Sequence, residues 1–447
     1  MSKINRVLFI AVCACLINIR CAFAEENVIS DTDVNYYSSE DLNSESEDSE
    51  MERPKSAKII KYTRKYARTI KLKWKKIKNA DGYCVYRSKE KDGRYRRVAT
   101  TAENTYEDKV KATDTYYYKV RTYIENENKK IYSDYSSIIK VKSKVKNKKN
   151  KLRIVEIREK LYTYKEMHND LKLLKEKYPD YFTYKVAGKT YDGRNIYIIC
   201  LGNKNADKKI LAQSTIHGRE YMNSAICMAQ LEYYLNNWNA MYDEKFTYGD
   251  LFNRTCVYMM PMLNPDGVCI SQFGANGIKN KELRNKLKGM SGISNYERWK
   301  ANARGVDINR NFSNHWERTG TPGSSMYSGR KADSERETRI IKRIVNKYNF
   351  DFIISYHSMG NLVYWDIGQS GEIYTETYKL ARKISKITGY PLGEQSEPEG
   401  LSYNWTILDK NIPEIIIENG YGVCPLPESE YKKTWKKNKD LITKLIR

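Results

Sequence analysis

In the second half of the chain, short uninterrupted apolar runs alternate with stretches in which apolar residues recur at helical spacing. Apolar runs of this length are typical of strands buried on both faces of a sheet. The predicted strands are 184–186, 196–201, 210–216, 258–263, 352–357 and 413–418. The predicted helices are 161–178, 222–235, 334–346, 374–387 and a basic terminal helix at 429–446. This alternation predicts an α/β domain over residues 158–447, with a mostly parallel or mixed sheet covered by helices on both faces.

Residues 56–143 have a different pattern, in which apolar and polar residues alternate over short segments separated by turn signals. The alternation is clear in Ile70–Trp74 and Tyr116–Arg121. Short strands of this kind predict a small β-sandwich. The segment NADGYCVYRS, with Trp74 upstream and TYYYKVRTY downstream, resembles fibronectin type III modules. We therefore expect a fibronectin type III-like domain in front of the α/β domain.

The remaining segments do not predict further folded domains. An apolar segment, Val7–Ile17, follows basic residues, and an Ala-Phe-Ala cleavage pattern ends at Ala24, which predicts a secretory signal peptide over 1–24. The acidic residues 25–55 predict a disordered tether, and the Lys-rich residues 144–157 predict a linker. No later stretch approaches the length of a membrane span. We expect a secreted or cell-surface protein.

The formal charge of +24 limits the expected partners. Such a charge often indicates nucleic-acid binding, but an exported chain meets anionic cell-surface polymers instead. Long-range attraction of this kind concerns partners and solubility rather than fold. We therefore expect anionic cell-surface polymers as partners, and no nucleic acid.

The cysteines after the predicted signal peptide are Cys84, Cys200, Cys227, Cys256, Cys269 and Cys424, and their spacing does not indicate a dense disulfide framework. Cys200 and Cys227 lie within apolar runs, so we expect them to be buried as small hydrophobic residues. The sequence leaves open whether Cys256 pairs with Cys269 in an oxidising compartment.

Candidate metal ligands stand where predicted strands end. His217 and Glu220 follow one apolar run, and His357 ends another. The chain holds only four histidines, and two of them lie at the ends of predicted strands. In open α/β sheets the carboxyl ends of the strands are where ligands bind. A lone His-x-x-Glu also occurs as a surface pair near a helix start, but the second histidine favours a shared cation.

Five motifs in a fixed order carry a resemblance to a known family. They are HGRE (217–220), NPDG (264–267), GVDINRNF (305–312), YHSMG (356–360) and IIIENG (415–420). NPDG by itself predicts a turn. In this order the motifs resemble the zinc carboxypeptidase-type metallopeptidases over nearly all of 160–447. The form SYHSMGNLVYW is similar to the bacterial branch that cleaves γ-D-glutamyl-diamino-acid bonds. The resemblance implies a zinc peptidase that acts on cell-wall peptides, and the predicted signal peptide implies that it is exported.

The resemblance also implies a role for each matching residue. His217, Glu220 and His357 are the implied ligands of one zinc ion per chain, which leaves a fourth position for water. Asp307 is implied to accept the second ring proton of His217 and to fix its tautomer. Glu418 is implied to be the general base. For Asp307 and Glu418 the alternative is a buried, paired structural carboxylate.

Further residues are implied to contact the substrate. Asn309 and Arg310 match the pair that holds a free carboxylate, and Arg219 matches the arginine beside the metal ligands. Lys300 stands where many members have the arginine that stabilises the oxyanion. Tyr403 falls where digestive members set the floor of the side-chain pocket.

The mobile tyrosine of the family has no ungapped match. Ser396 falls at that position, with Tyr390 and Tyr403 as candidates to reach in. The surrounding segment, 393–400, is acidic within a basic protein. We hypothesise that one of its carboxylates favours a positively charged leaving residue, and a solvated loop is the alternative.

Other functions stay open at this point. One is an ordinary zinc carboxypeptidase that trims C-terminal residues, including basic ones, from α-linked peptides. Another is an inactive binding protein, against which the presence of all three ligand matches and Glu418 argues. Residues 56–150 are either a permanent module or a removable inhibitory segment.

Overall fold

A computed structural model of the chain describes residues 53–66, 69–111, 114–127, 129–142, 152, 154–155, 161–290, 295–394 and 400–447. The predicted signal peptide, almost all of the acidic tether and most of the Lys-rich linker lie outside these residues. No helix among the described residues is long and apolar enough to cross a membrane.

The N-terminal part of the described chain consists of antiparallel strands in two sheets. The strands are β1 (Ile59–Tyr66), β2 (Thr69–Trp74), β3 (Gly82–Ser88), β4 (Arg96–Thr101), β5 (Thr105–Lys109), β6 (Tyr116–Asn126), β7 (Lys129–Tyr132) and β8 (Ile139–Val141). One sheet has the order β1-β2-β5, and the other has the order β4-β3-β6-β7 with β8 also paired to β6. We call this part, 53–142, the β module.

The alternating pattern that predicted these strands also builds the core of the β module. Ile70, Leu72 and Trp74 from one sheet pack against Val85 and Val120 from the other. Alternate side chains of a strand point to opposite faces, so the polar residues between them face solvent. The predicted small β-sandwich is therefore confirmed as an antiparallel two-sheet structure, and its assignment to the fibronectin type III modules stays a prediction.

The α/β domain contains a seven-stranded mixed sheet. Its strands are β9 (Phe182–Lys189), β10 (Asn195–Leu201), β11 (Lys208–Ser214), β12 (Thr255–Met260), β13 (Phe352–His357), β14 (Leu362–Tyr364) and β15 (Glu414–Glu418). The sheet order is β14-β15-β13-β11-β12-β10-β9. The four central strands are parallel, and β14, β10 and β9 run antiparallel to their neighbours. The predicted mixed sheet is thus confirmed.

Helices cover both faces of this sheet. They are α1 (Tyr164–Lys177), α2 (Met222–Asn236), α3 (Tyr248–Arg254), α4 (Pro265–Phe273), α5 (Lys281–Lys288), α6 (Arg336–Lys347), α7 (Gly371–Thr388), α8 (Ser402–Asn404), α9 (Ser429–Asn438) and α10 (Leu441–Ile446). Ile210 and Ala212 pack with α2 in one hydrophobic core, whereas Leu211 packs with α6 in another. The sheet is therefore buried on both sides, as its uninterrupted apolar strands predicted.

Two expectations about local structure are wrong. The predicted turn at 264–267 is the start of α4, because the Asn264 side chain accepts a hydrogen bond from the Gly267 amide and Pro265 occupies the first turn of the helix. The predicted terminal helix divides into α9 and α10. The Asn438 carbonyl, where α9 ends, accepts a hydrogen bond from the buried Gln230 side chain at 2.7 Å.

The structure shows the surroundings of the cysteines, whose pairing the sequence left open; Cys227 is buried as expected, and Cys200 is half-buried. The six cysteines of the described residues are free thiols. Cys256 lies beside Cys200 on the neighbouring strand, with 2.8 Å between their sulfur atoms, rather than beside Cys269. The antiparallel pairing of β10 with β12 brings these two residues together, and Cys269 lies on α4.

Candidate metal centre

The central strands bring the candidate ligands to one edge of the sheet. His357 is the last residue of β13 and Glu418 the last of β15, and the two are direct partners in the parallel pairing. His217 follows β11, which pairs with β13 on its other side. Glu220 lies in the single turn Gly218–Glu220 that leads into α2. Because parallel strands end at the same edge, residues far apart in sequence become neighbours.

Three of these side chains converge closely. His217 Nδ1 lies 2.7 Å from Glu220 Oε1, and His357 Nδ1 lies 3.3 Å from Glu220 Oε2. The two imidazole rings meet edge to face, with their centroids 4.9 Å apart. All three residues are buried, with exposed fractions of 3–5%. We call His217, Glu220 and His357 the metal centre.

Asp307 lies behind the metal centre. Its Oδ1 is 3.1 Å from His217 Nε2, and its Oδ2 accepts a hydrogen bond from Lys300 Nζ at 2.7 Å. A carboxylate in this position keeps the proton of His217 on Nε2 and leaves Nδ1 as a lone-pair donor. Lys300 therefore neutralises Asp307, and a role at the oxyanion would require its Nζ to leave this ion pair.

Close packing of two motifs sets the position of the turn that carries Glu220. A side chain on Gly218 would place its Cβ 2.4 Å from the Gly267 backbone, so this contact requires glycine. The fully buried Asn264 side chain donates to the carbonyls of Ile216 and Ala301, at 3.0 and 3.1 Å. The sequence prediction missed this role of Asn264, although its capping position in front of a proline was a usable signal.

A chain of buried amides holds the metal centre from the other side. The Ser358 amide donates to Glu220 Oε2 at 3.2 Å, and the Ser358 hydroxyl accepts from Asn223 Nδ2 at 3.0 Å. Asn419 in turn donates to Asn223 at 3.0 Å, and Asn438 donates to Asn419 at 2.8 Å. Sequence analysis did not find these residues. The available signal was the polar Asn223 beside the apolar residues that begin helix α2.

Electrostatics distinguish the acids of the site. Burial alone would raise the pKa of Glu220, but the charge of His217 and hydrogen bonds from both histidines hold this pKa well below its usual range. Likewise, burial opposes ionisation of Asp307, yet Lys300 and His217 keep its pKa low. Burial raises the pKa of Glu418 to about 8, against the charge of His357.

The donors fit a zinc ion. Two imidazole nitrogens and one carboxylate oxygen lie within 4.8 Å of one another. A set of two histidines and one acid is typical of catalytic zinc and leaves a coordination position open. Glu418 Oε2 is buried and has no hydrogen-bond partner among the described residues, so it is available to a group at that position.

The family model for zinc carboxypeptidases matches residues 167–439, which include every residue of the metal centre. The chain belongs to the zinc carboxypeptidase family. It is a zinc metallopeptidase, and the metal centre is a set of residues that could hold its zinc.

Named relatives support this membership. The chain is 31% identical over 278 residues to γ-D-glutamyl-L-diamino acid endopeptidase 1 of Lysinibacillus sphaericus, covering 60% of this chain and 68% of that protein. It is 27% identical over 218 residues to carboxypeptidase B of Astacus astacus, covering 47% of this chain and 66% of that protein.

A solved structure shares the fold. Bovine thrombin-activatable fibrinolysis inhibitor, in complex with tick carboxypeptidase inhibitor, aligns with a TM-score of 0.51 and 21% identity. The alignment covers 64% of this chain and 97% of that chain. At this identity the likeness concerns the fold alone.

Three residues predicted to contact substrate lie on short turns next to Glu220 or Asp307. Arg219 is adjacent to the metal-ligand turn, and its Nη1 lies 3.4 Å from the Arg298 carbonyl. Asn309 and Arg310 belong to the single turn Ile308–Arg310 that follows Asp307. The side-chain oxygen of Asn309 accepts a hydrogen bond from the Ser402 amide at 3.0 Å, which leaves its amide nitrogen for a ligand.

The predicted tyrosines occupy core positions. Tyr403 is buried in a hydrophobic cluster with Ile367, Ile407 and Ile416. Tyr390 is also buried, and its hydroxyl donates to Asn419 Oδ1 at 3.3 Å, within the amide chain. Neither side chain is a mobile surface group in this conformation. Ser396 and most of the acidic segment lie outside the described residues.

Proposed function

We propose that this zinc metallopeptidase is exported and hydrolyses γ-D-glutamyl-diamino-acid bonds in short cell-wall peptides. The observation that carries the choice of bond is the 31% identity to an endopeptidase with that specificity in its name. The predicted signal peptide over 1–24 supports export.

Each side chain of the site has a defined task in this reaction. Zinc held by His217, Glu220 and His357 would supply a Lewis acid that helps a water lose a proton as it attacks a peptide carbonyl. The charge of bound zinc would lower the raised pKa of Glu418, so that Glu418 Oε2 accepts the proton that the attacking water loses and later donates it to the departing amine. Asp307 keeps the Nε2 proton of His217 in place, so that Nδ1 faces the metal centre.

The substrate is held by the basic residues next to the metal centre. Arg310 presents a guanidinium fork, which matches a free carboxylate in two bonds. The amide nitrogen of Asn309 lies in the same turn and adds a third donor. Arg219 is placed to contact a substrate carbonyl from the metal-ligand turn. These donors suit the free carboxylate of a diamino acid at the end of a short peptide.

A second candidate function is the removal of C-terminal residues from α-linked peptides. The similarity to carboxypeptidase B of Astacus astacus favours it. The same three donors serve a C-terminal carboxylate, so the two functions differ only in the linkage that enters the site.

One pair of substrates separates the two functions. The purified chain is incubated with a γ-D-glutamyl-diaminopimelate tripeptide and with an α-linked peptide of equal length, each with and without chelator. We expect release of the diamino acid from the first substrate and not from the second, and no release after chelation. Faster cleavage of the α-linked peptide would favour the carboxypeptidase function.

We also propose that the β module is a permanent part of the exported enzyme rather than an inhibitory segment. Its own hydrophobic core supports independent folding. Removal of residues 1–150 should therefore leave the rate of peptide cleavage unchanged. An increase of tenfold or more on removal, roughly the release expected of an inhibitory segment, would contradict this proposal.

A further inference from the structure

A cavity of about 800 Å³ lies in the β module, away from the metal centre. One wall is the connection between β3 and β4, and the other is the end of β5 with the residues that follow it. Six basic residues line the cavity together with one acidic residue, Glu90; the basic residues are Arg87, Lys89, Arg94, Arg96, Lys109 and Lys111.

Two of these cations already have carboxylate partners. Arg87 pairs with the buried Asp108 at 2.9 Å, and Lys89 pairs with Asp114 at 2.8 Å. The other four basic residues line the cavity as well, and Glu90 is the one acidic residue among the described residues of its lining. Among the described residues, neither Arg96 nor Lys111 has an ion-pair partner. The cavity therefore has an excess of positive charge that a bound anion would neutralise.

The walls of the cavity are held in place by hydrogen bonds. The buried Arg64 guanidinium donates to the carbonyls of Lys111 and Asp114, at 3.0 and 2.9 Å. In the opposite wall, the Tyr95 hydroxyl donates to the Lys91 carbonyl at 2.9 Å. Because the backbone is already ordered, binding there loses little conformational entropy.

The shape and lining indicate the class of ligand. A volume of this size lies within the range of about 300–1,000 Å³ that encloses a whole small molecule, so it exceeds what one inorganic anion needs. Tyr116 is the one aromatic residue among the described residues that line the cavity, and it is buried with its hydroxyl hydrogen-bonded to Asp114. No ring is therefore offered for base stacking, which binding of a single-stranded nucleic acid uses.

We propose that this cavity binds a linear polymer with phosphodiester-linked polyol units, and so attaches the enzyme to an anionic cell surface. Arginine forks match phosphate oxygens in two bonds, and lysines add point charge. Contacts to successive phosphates of one polymer would engage cations on both walls. Attachment to a cell surface rests on the export proposed above. Binding of the polymer by the purified chain depends neither on export nor on which bond the enzyme cleaves.

The test uses the full chain in its zinc-loaded form and a fluorescent poly(glycerol phosphate) oligomer. The cavity variant carries Arg96→Gln, Lys109→Gln and Lys111→Gln. The control variant carries Lys73→Gln, Lys75→Gln and Lys76→Gln, which removes the same charge from exposed lysines that do not line the cavity. Both variants should keep the thermal stability and peptidase activity of the unmodified chain, because these substitutions lie on the surface.

We expect the unmodified chain to bind the oligomer with an affinity that falls as salt is added. The cavity variant should bind on the order of tenfold more weakly, and the control variant within about twofold of the unmodified chain. Equal losses in both variants, or no loss in the cavity variant, would overturn the proposal. Equally tight binding of single-stranded DNA of the same charge, or equal competition by inorganic phosphate, would overturn the assignment to a polyol phosphate polymer.

Discussion

Two buried groups of charged side chains in the α/β domain differ in how their charge is neutralised. One group is the metal centre. The other, which we call the arginine cluster, consists of Arg194, Asp266 and Glu337 together with the polar Asn302. Arg194 Nη1 donates to Asp266 Oδ1 at 2.7 Å, and Asn302 Nδ2 donates to Glu337 Oε2 at 3.2 Å. Here the chain supplies its own cation. In the metal centre two imidazoles and one carboxylate converge on a position that could hold zinc.

The comparison teaches that a displaced pKa does not by itself identify a catalytic acid. Burial raises the pKa of Glu337 to about 8, and the charge of Asp266 adds to this effect. Burial raises the pKa of Glu418 to the same value. Only Glu418 is the strand partner of a metal ligand, His357. Position at the sheet edge, rather than acidity, therefore separates the proposed general base from the structural acid.

Loss of a metal ligand should have the largest effect. We expect His357→Ala to lose bound zinc and to reduce peptide cleavage on the order of ten-thousandfold or more, because zinc supplies the activated water. The matched control is His168→Ala, which removes a histidine of helix α1 outside the metal centre. Zinc content and cleavage rate are measured on both variants. Full activity of His357→Ala, or loss of activity in His168→Ala, would contradict the assignment of His357 to the metal centre.

Glu418→Gln should separate chemistry from metal binding. The amide cannot accept a proton, so we expect the turnover number to fall by about a hundredfold to ten-thousandfold while zinc content is unchanged. Glu337→Gln is the matched control, and it should leave turnover unaltered. A similar loss of turnover in both variants would show that burial, rather than position, determines the role of each acid.

The pH dependence of stability should report on the arginine cluster. The pKa of Glu337 is raised in the folded chain from an ordinary value of 4.5 to about 8. Between these values the unfolded chain loses a proton that the folded chain keeps, so this residue lowers stability as pH rises. Glu337→Gln should remove that slope and stabilise the protein by as much as about 3 kcal/mol at neutral pH.

Denaturant unfolding of Glu337→Gln and the unmodified chain, at several pH values across that window and at equal zinc, measures this difference. The stability difference should grow as pH rises from acidic to neutral. A difference that is constant with pH would mean that Glu337 is ionised in the folded protein.

The smallest effect is expected behind the metal centre. Asp307→Asn keeps an oxygen near His217 Nε2 but removes the negative charge that Lys300 and His217 share. We expect zinc affinity to fall by about tenfold to a hundredfold, as is usual when the partner of a metal-bound histidine changes. Competition with a chelating dye measures the affinity. An unchanged affinity would reduce Asp307 to a structural carboxylate like those of the arginine cluster.

The parts of the fold and site that were predictable from sequence depend on local patterns. Uninterrupted apolar runs identified the central strands, and the histidines that follow them identified the edge where ligands meet. The start of α4 at Pro265 was misread as a turn, because proline and glycine favour both structures. The sequence resemblance, rather than periodicity, supplied the role of Glu418.

Other features depend on contacts between distant segments. The amide chain through Asn223, Asn419 and Asn438 joins two helices and a strand end, and no single segment indicates it. The approach of Gly218 to Gly267 and the position of Cys256 beside Cys200 likewise arise only when strands and helices pack. Single-sequence patterns contain no information on such pairings.

The most direct test of the metal centre is a crystal structure of the zinc-loaded chain, with anomalous scattering recorded at the zinc absorption edge. We predict one strong peak per chain, at about 2.0–2.2 Å from the Nδ1 atoms of His217 and His357 and from a Glu220 carboxylate oxygen. Glu418 should face the remaining side of the ion without binding it. A peak elsewhere, or none at this position, would contradict the account.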